Sequence, residues 1–210
     1  TSWTLTEVDF TDGPYLPTNT TATTLTPASA GTGTGVNITA SAITGINGGD
    51  GWKTTDVGRI ISFNSGKAKI TARTNTTVVV ATITTAFAST AATAAFNLGA
   101  FSDTTGHPSC VSFFEQRLVF AGTTDEPQTL YFSKSGDYEN MTAGTDADHA
   151  MVYTIASNQV NKIRYLKSVR TLLIGTTGGE FSVSADGTDA AVTPTNVTIK
   201  RQSSFGKILL

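Results

Sequence analysis

Reactive side chains are scarce in this sequence. Cys110 is the single cysteine, so no intrachain disulfide can form, and its place at the head of an apolar run marks it as a small buried hydrophobe. His107 and His149 are the only histidines, which leaves no convincing catalytic triad or histidine metal cluster. Charged residues make up 14% of the chain, against roughly 25% in an average soluble domain. With a formal net charge of −2 and a pI near 5.6, the chain has no clustered basic stretch of the kind that grips phosphate backbones, so specific nucleic-acid binding is not expected. No run approaches the eighteen or so apolar residues of a membrane-spanning helix, and the first residues, TSWTLTEVDF, lack the basic, apolar and small-residue zones of a secretory signal. The chain starts without Met and closes on the apolar SSFGKILL, which leads to the expectation of a fragment or processed piece.

Hydrophobic residues at 39% are enough for a sizeable core, and the abundance of Thr, Gly and Ala points to an all-β extracellular or assembled protein rather than a cytosolic enzyme. Residues 1–30 carry Pro14, Pro17 and Pro27, spaced so that no helix can persist, and read as an extended, loop-rich arm anchored by Trp3, Phe10, Tyr15 and Leu16. Residues 31–98 read as a small β-meander module. VNITASAI alternates, GGDG is a sharp turn, and strands are expected at 58–63, 67–73 and 77–84. In the second of these Ala68, Ile70 and Ala72 should point one way and Lys67, Lys69, Thr71 and Arg73 the other. Asn64, Ser65 and Gly66 supply one hairpin turn and Asn75 the next. ASTAATAAF has room for a helical turn or two but lacks a periodic apolar stripe.

Residues 99–210 contain a unit used twice. VSFFEQRLVFAGT, 111–123, aligns with IRYLKSVRTLLIGT, 163–176, and places Gly122 on Gly175 with one extra residue in the second copy. Each copy runs on into a further strand, QTLYFSKSGD or GEFSVSADG. The period of about fifty residues suits β-propeller blades of four short strands; the alternative is a pair of ordinary antiparallel hairpins. Strands are expected at 111–114, 118–121 and 129–133 in the first copy. Val111, Phe113, Leu118, Phe120, Leu130 and Phe132 are expected to pack with Ile163, Tyr165, Leu172 and Ile174. A lone blade cannot bury both faces, so the two copies make at most an incomplete propeller.

GHPSCVSFFEQRLVFAGTTDEPQTLYFSKSGDYENM, YTIASNQVNKIRYLKSVRTLLIGTTGGEFSVS and VTPTNVTIKRQSSFG together resemble the tail nozzle proteins of short-tailed bacteriophages, also called tail tubular protein B or stabilization proteins. DVGRIISFNSGKAKIT resembles a β module often inserted in those proteins and labelled as similar to the first catalytic cysteine half-domain of ubiquitin-activating enzymes, a likeness of fold only, since Cys110 lies outside it. The resemblance spans Trp3 to Gly206. It implies a non-enzymatic structural protein of the virion, a homohexameric ring below a tail adaptor ring, with tail fibre proteins as further neighbours, through which DNA passes during ejection without specific binding. This chain is much shorter than the proteins it resembles, so ring-forming surfaces and further blades are expected to be missing.

Several clusters read as turns rather than sites. Asp146, Asp148 and His149 in GTDADHA lack the Gly and closing Glu of a calcium loop. Asp137 and Glu139 flank Tyr138 but are too close in sequence to hold the separation of a glycosidase pair. GTTGGE has neither the Lys nor the following helix of a phosphate loop and reads as a tight hairpin turn. The Asn-X-Thr triplets at Asn19, Asn37, Asn75, Asn140 and Asn196 follow from a Thr-rich composition. No catalytic, cofactor-binding or metal residue is assigned, and no cofactor is expected. The runner-up function, from another class, is a carbohydrate-binding tail adhesin or a glycan-cleaving propeller enzyme.

Overall fold

A computed structural model describes residues 3, 4, 10–156, 160–187 and 190–206. The all-β expectation holds: strands carry the regular structure, and among the described residues the helical pieces are single 3-10 turns at Asn47–Gly49 and Thr54–Asp56. The chain divides into two compact units, Tyr15–Gly106, and Thr1–Pro14 together with His107–Leu210. These limits differ from 1–30, 31–98 and 99–210 for a physical reason. Leu16 N–H donates to Leu98 O at 2.8 Å and Asn19 N–H to Phe96 O at 2.9 Å, which ties the second half of the arm into the meander. At the other end Gly99 N–H donates to Ile60 O at 2.8 Å and Thr105 Oγ1 to Ala100 O at 2.8 Å, which keeps 99–106 with it as well. Residues 207–210, on which the expectation of a continuing chain partly rested, lie outside the described residues.

The unit Tyr15–Gly106 is one curled antiparallel sheet of six strands: β1 (Leu25–Pro27), β2 (Gly33–Ala40), β3 (Ile60–Phe63), β4 (Gly66–Arg73), β5 (Val78–Thr85) and β6 (Phe96–Leu98), in the order β1-β2-β5-β4-β3-β6. Strict alternation in β5 sends Val79, Ala81 and Ile83 inward, where they meet Leu25, Ile38, Trp52, Ile61 and Phe96. Phe63 stacks on Phe87 with ring centroids 4.2 Å apart. In β4 the expected alternation holds through Ile70 and then fails. A bulge between Ile70 and Ala72 turns Ala72 outward and half-buries Arg73, whose Nε donates to Trp52 O at 2.7 Å. ASTAATAAF forms no helix; its Thr93 exchanges both backbone hydrogen bonds with Leu25, linking the approach to β6 with β1 and curling the sheet. Inside, Asp56 and Arg59 form an ion pair at 3.0 Å with both side chains fully enclosed, and Asn47 bridges them.

The other unit is two four-stranded antiparallel sheets. The first holds β7 (Cys110–Phe114), β8 (Arg117–Ala121), β9 (Thr129–Phe132) and β10 (Met151–Thr154) in sequence order across the sheet; the second holds β11 (Ile163–Ser168), β12 (Leu172–Thr176), β13 (Glu180–Ser184) and β14 (Thr198–Ser203) likewise. Their inner faces share one core, with Phe114, Val119, Leu130 and Phe132 meeting Ile163, Leu172, Ile174 and Val183. The sequence repeat is thus a structural repeat of strand, turn, strand, strand. One part of the expected packing is corrected. Leu130, Phe132, Ile163, Leu172 and Ile174 are in the shared core, but Val111, Phe113, Leu118 and Phe120 lie on the opposite face of their sheet, with Val111 59% and Phe113 60% exposed, and Tyr165 lies on the outer face of the other sheet, over Gly175. Each segment of VSFFEQRLVFA is apolar at both parities, so alternation could not choose a face. Val119 and Ala121, which the repeat aligns with Leu172 and Ile174, all point inward. Equivalent faces of the two copies therefore look at each other. Two four-stranded sheets around one shared core do not by themselves establish a propeller.

Gly122 and Gly175 occupy the same place in the repeat for different reasons. Gly122 has φ +76° and closes β8, where a Cβ would press on Ser109 Oγ and Ile163 O; Gly175 lies under the Tyr165 ring, which leaves no room for any side chain.

Candidate functional site

With the inner faces joined, the chemistry this unit can offer lies on its two outer faces and around its turns. Across the first sheet the register runs Val111, Phe120, Tyr131, Val152, with Phe113 opposite Leu118. Phe10 covers part of this face, its ring edge-on to Phe120 at 5.8 Å, and Thr11 N–H donates to Glu139 O at 2.9 Å. The part near β7 stays open: Phe113 meets the Tyr138 ring edge-on at 5.1 Å, and Tyr138 is itself exposed between Asp137 and Glu139. Across the second sheet the outer row is Lys167, Leu173, Ser182, Lys200, a polar and basic face around one half-exposed leucine. Beside it Tyr165 Oη donates to Glu180 Oε1 at 3.0 Å, and burial, followed by that hydrogen bond and the Glu180 charge, holds the phenol above its ordinary pKa.

Glu115 and Gln116 make the β7–β8 turn with φ +45° and +58°, a left-handed pair that usually calls for Asn and Gly. Glu115 is held there by a long reach: its Oε2 accepts the Val192 N–H at 2.6 Å. Glu115 also lines an open cleft of about 620 Å³ with Arg170, Thr171, Ser184, Ala185, Gly187, Ala190 and Ala191, at the turn ends of both sheets. Among these described residues one carboxylate and one guanidinium face small side chains, and no aromatic platform is present.

Arg117 is the functional-looking side chain that sequence reasoning missed. It is 2% exposed, and its guanidinium donates to the carbonyls of Ser133 at 2.7 Å, Ala147 at 2.6 Å and His149 at 2.7 Å. Burial lowers its pKa while Asp148 and Glu115 raise it, and the group is a charged clamp on the 147–149 loop. The sequence carried no signal for it: with Leu118 and Phe120 expected inward, alternation put Arg117 on the outer face, and the inward position follows from the observed facing of β8. The clamp explains the Asp146, Asp148 and His149 cluster as a turn whose groups diverge. Asp146 Oδ2 faces His149 Nε2 at 3.5 Å, and Asp148 Oδ2 pairs with Lys134 Nζ at 2.9 Å, which holds the Asp148 carboxyl below its usual range.

The other candidates are scattered. Asp137 Oδ2 accepts from Asn140 Nδ2 at 3.1 Å, within its own turn. GTTGGE is the β12–β13 hairpin, closed by Thr176 Oγ1 on Gly179 O at 2.6 Å. Cys110 is buried, its Sγ 3.8 Å from Ile163 O, and His107 is exposed. Four of the Asn-X-Thr asparagines build turns: Asn19 Nδ2 donates to Thr21, Thr23 and Ala94 carbonyls, Asn75 Oδ1 accepts from Thr77 and Val78 N–H, Asn140 Oδ1 accepts from Thr142 N–H, and Asn196 Oδ1 accepts from Asp186 N–H. No family model and no curated protein matches the chain. Among the described residues no helix is long and apolar enough to cross a membrane.

Proposed function

We propose that this chain is a structural, non-enzymatic component of a short-tailed bacteriophage tail, part of a ring-shaped nozzle through which DNA is ejected, located in the virion beside an adaptor ring and tail fibre proteins. The observation that supports it best is the outer face of the first sheet. A chain with so few charges leaves Val111, Phe113 and Tyr138 open on a rigid sheet, a surface suited to burial in an assembly. The motifs that resemble nozzle proteins fall on this sheet pair, and the DVGR stretch falls on the curled sheet, where Asp56 and Arg59 are structural. The blade interpretation of the repeat belongs to the same proposal, with the two blade-like sheets paired inner face to inner face. A hexameric ring whose channel is neutral or acidic would pass DNA without the salt-dependent grip that each basic contact adds.

Among the described residues that line the cleft there is one carboxylate, Glu115, and no aromatic side chain, whereas sugar binding favours an aromatic platform and hydrolysis needs two carboxylates about 5 to 10 Å apart. Mixing the purified chain with adaptor rings, and separately with a panel of bacterial surface glycans, tests the choice. Co-sedimentation with the adaptor supports the nozzle role; retention by a glycan without adaptor binding overturns it.

A further inference from the structure

The two outer faces of the sheet pair are unlike each other, and neither suits itself. Residues 107–159 carry seven carboxylates against two basic residues, and residues 160–206 carry six basic residues against three carboxylates. The outer face of β7–β10 presents Val111, Phe113 and Tyr138 beside the exposed Asp137 and Glu139. The outer face of β11–β14 presents Leu173 in one cross-strand row with the exposed Lys167 and Lys200. Pairing either face with its own copy brings like charges together, which costs association energy. Pairing one with the other sets apolar centre on apolar centre and carboxylate on ammonium. Within a single molecule the two faces point away from each other across the shared core, so they can meet only between copies.

We propose that copies of this chain associate head to tail, the β7–β10 outer face of one copy seating on the β11–β14 outer face of the next. Such a contact is heterologous, and it closes into a ring or runs on as a filament according to the angle it sets. It rests on the nozzle reading only for ring closure. It also covers Lys167 and Lys200, which would otherwise add a basic track to a channel. A face four strands wide and about five residues long covers roughly 300 Å². Two such faces bury well under the ~1,200 Å² of a stable pair, so a single contact is weak and demands high concentration or the cooperation of a closed ring.

The test is sedimentation equilibrium of the full chain over a wide concentration range, at low and at physiological salt. Wild-type chain should associate beyond dimer, less so as salt rises. Lys167→Glu with Lys200→Glu should weaken association by about tenfold or more, and so should Asp137→Lys with Glu139→Lys. Mixed together, these two variants should associate again, because each reversed face finds its reversed partner. All four positions are exposed, and unchanged thermal melts confirm that the variants fold. A wild-type chain that stays monomeric, a Lys167→Glu, Lys200→Glu variant that still self-associates, or a mixture without rescue overturns the contact. Charge-reversed copies that still join adaptor rings in wild-type number overturn the contact and leave the nozzle role standing. Head-to-tail association with no adaptor binding does the reverse.

Discussion

Gln116 sits in a left-handed conformation that costs an L side chain about 1 kcal/mol or more, with Glu115 beside it doing the same. Glu115 has a task there, its bond to Val192, whereas among the described residues no side-chain hydrogen bond of Gln116 offsets its strain. Gln116→Gly should therefore stabilise the chain by about 0.5–1 kcal/mol, less whatever the freer unfolded chain gives back, read as a shift of the urea midpoint at constant slope. A loss of stability would mean the turn is not left-handed. Tyr131 makes a second case. It is 1% exposed, and burial, followed by the Glu126 charge, raises its pKa above the ordinary value of 10. A raised acid is protonated in the folded chain while the unfolded chain releases its proton, so its contribution is complete below pH ~10 and falls as pH climbs toward the folded value. Any stability deficit of Tyr131→Phe at neutral pH should shrink or reverse by pH ~11. A deficit constant with pH would place Tyr131 in water.

At the level of strands, position was legible and facing was not. Each expected strand of the meander and of the first repeat falls within two residues of β3, β4, β5, β7, β8 or β9, because alternation and turn residues such as Asn64 and Asn75 fix where strands begin and end. Facing fails where neighbouring apolar residues compete, as Phe113 and Phe114 do, and where a bulge resets parity, as at Thr71. The pair gives a sharp measurement. Phe114→Ala, at a 4% exposed position, should cost about 3–5 kcal/mol, and Phe113→Ala less than about 0.5 kcal/mol. Equal costs, or the reverse order, would restore the original facing. The Asp56 and Arg59 pair was equally invisible: Arg59 was placed at the start of the expected strand 58–63 with no partner assigned, and the pair is enclosed in the folded sheet. Asp56→Ala strands a buried guanidinium bonded to Gly99 O at 2.7 Å and should cost about 3–5 kcal/mol. Asp56→Leu with Arg59→Met should recover most of that, since the isolated charge is what destabilises.

Across the whole molecule the two hydrophobic cores are separate. One is drawn from Leu25 to Leu98, the other from Cys110 to Val192. The repeat announced the second core in the sequence, but nothing in the sequence marked residues 10–14 as belonging with it, because what joins them is largely backbone and local. Thr11 N–H donates to Glu139 O and Met141 N–H to Asp12 O at 2.8 Å, Thr142 Oγ1 donates to Asp12 Oδ2 at 2.8 Å, and the Phe10 ring lies against Phe120. A chain of residues 15–106 therefore carries a complete core, its closing hydrogen bonds and its buried ion pair, and should unfold cooperatively on its own. A chain of residues 107–210 lacks the arm that covers Phe120. It should fold with lower stability and bind a hydrophobic dye more strongly than the full chain does, and a peptide of residues 1–14 added in excess should reduce that binding. Non-cooperative melting of 15–106 would show that its curled sheet depends on the rest of the chain. Dye binding unchanged by the peptide would show that the arm does not hold to this sheet.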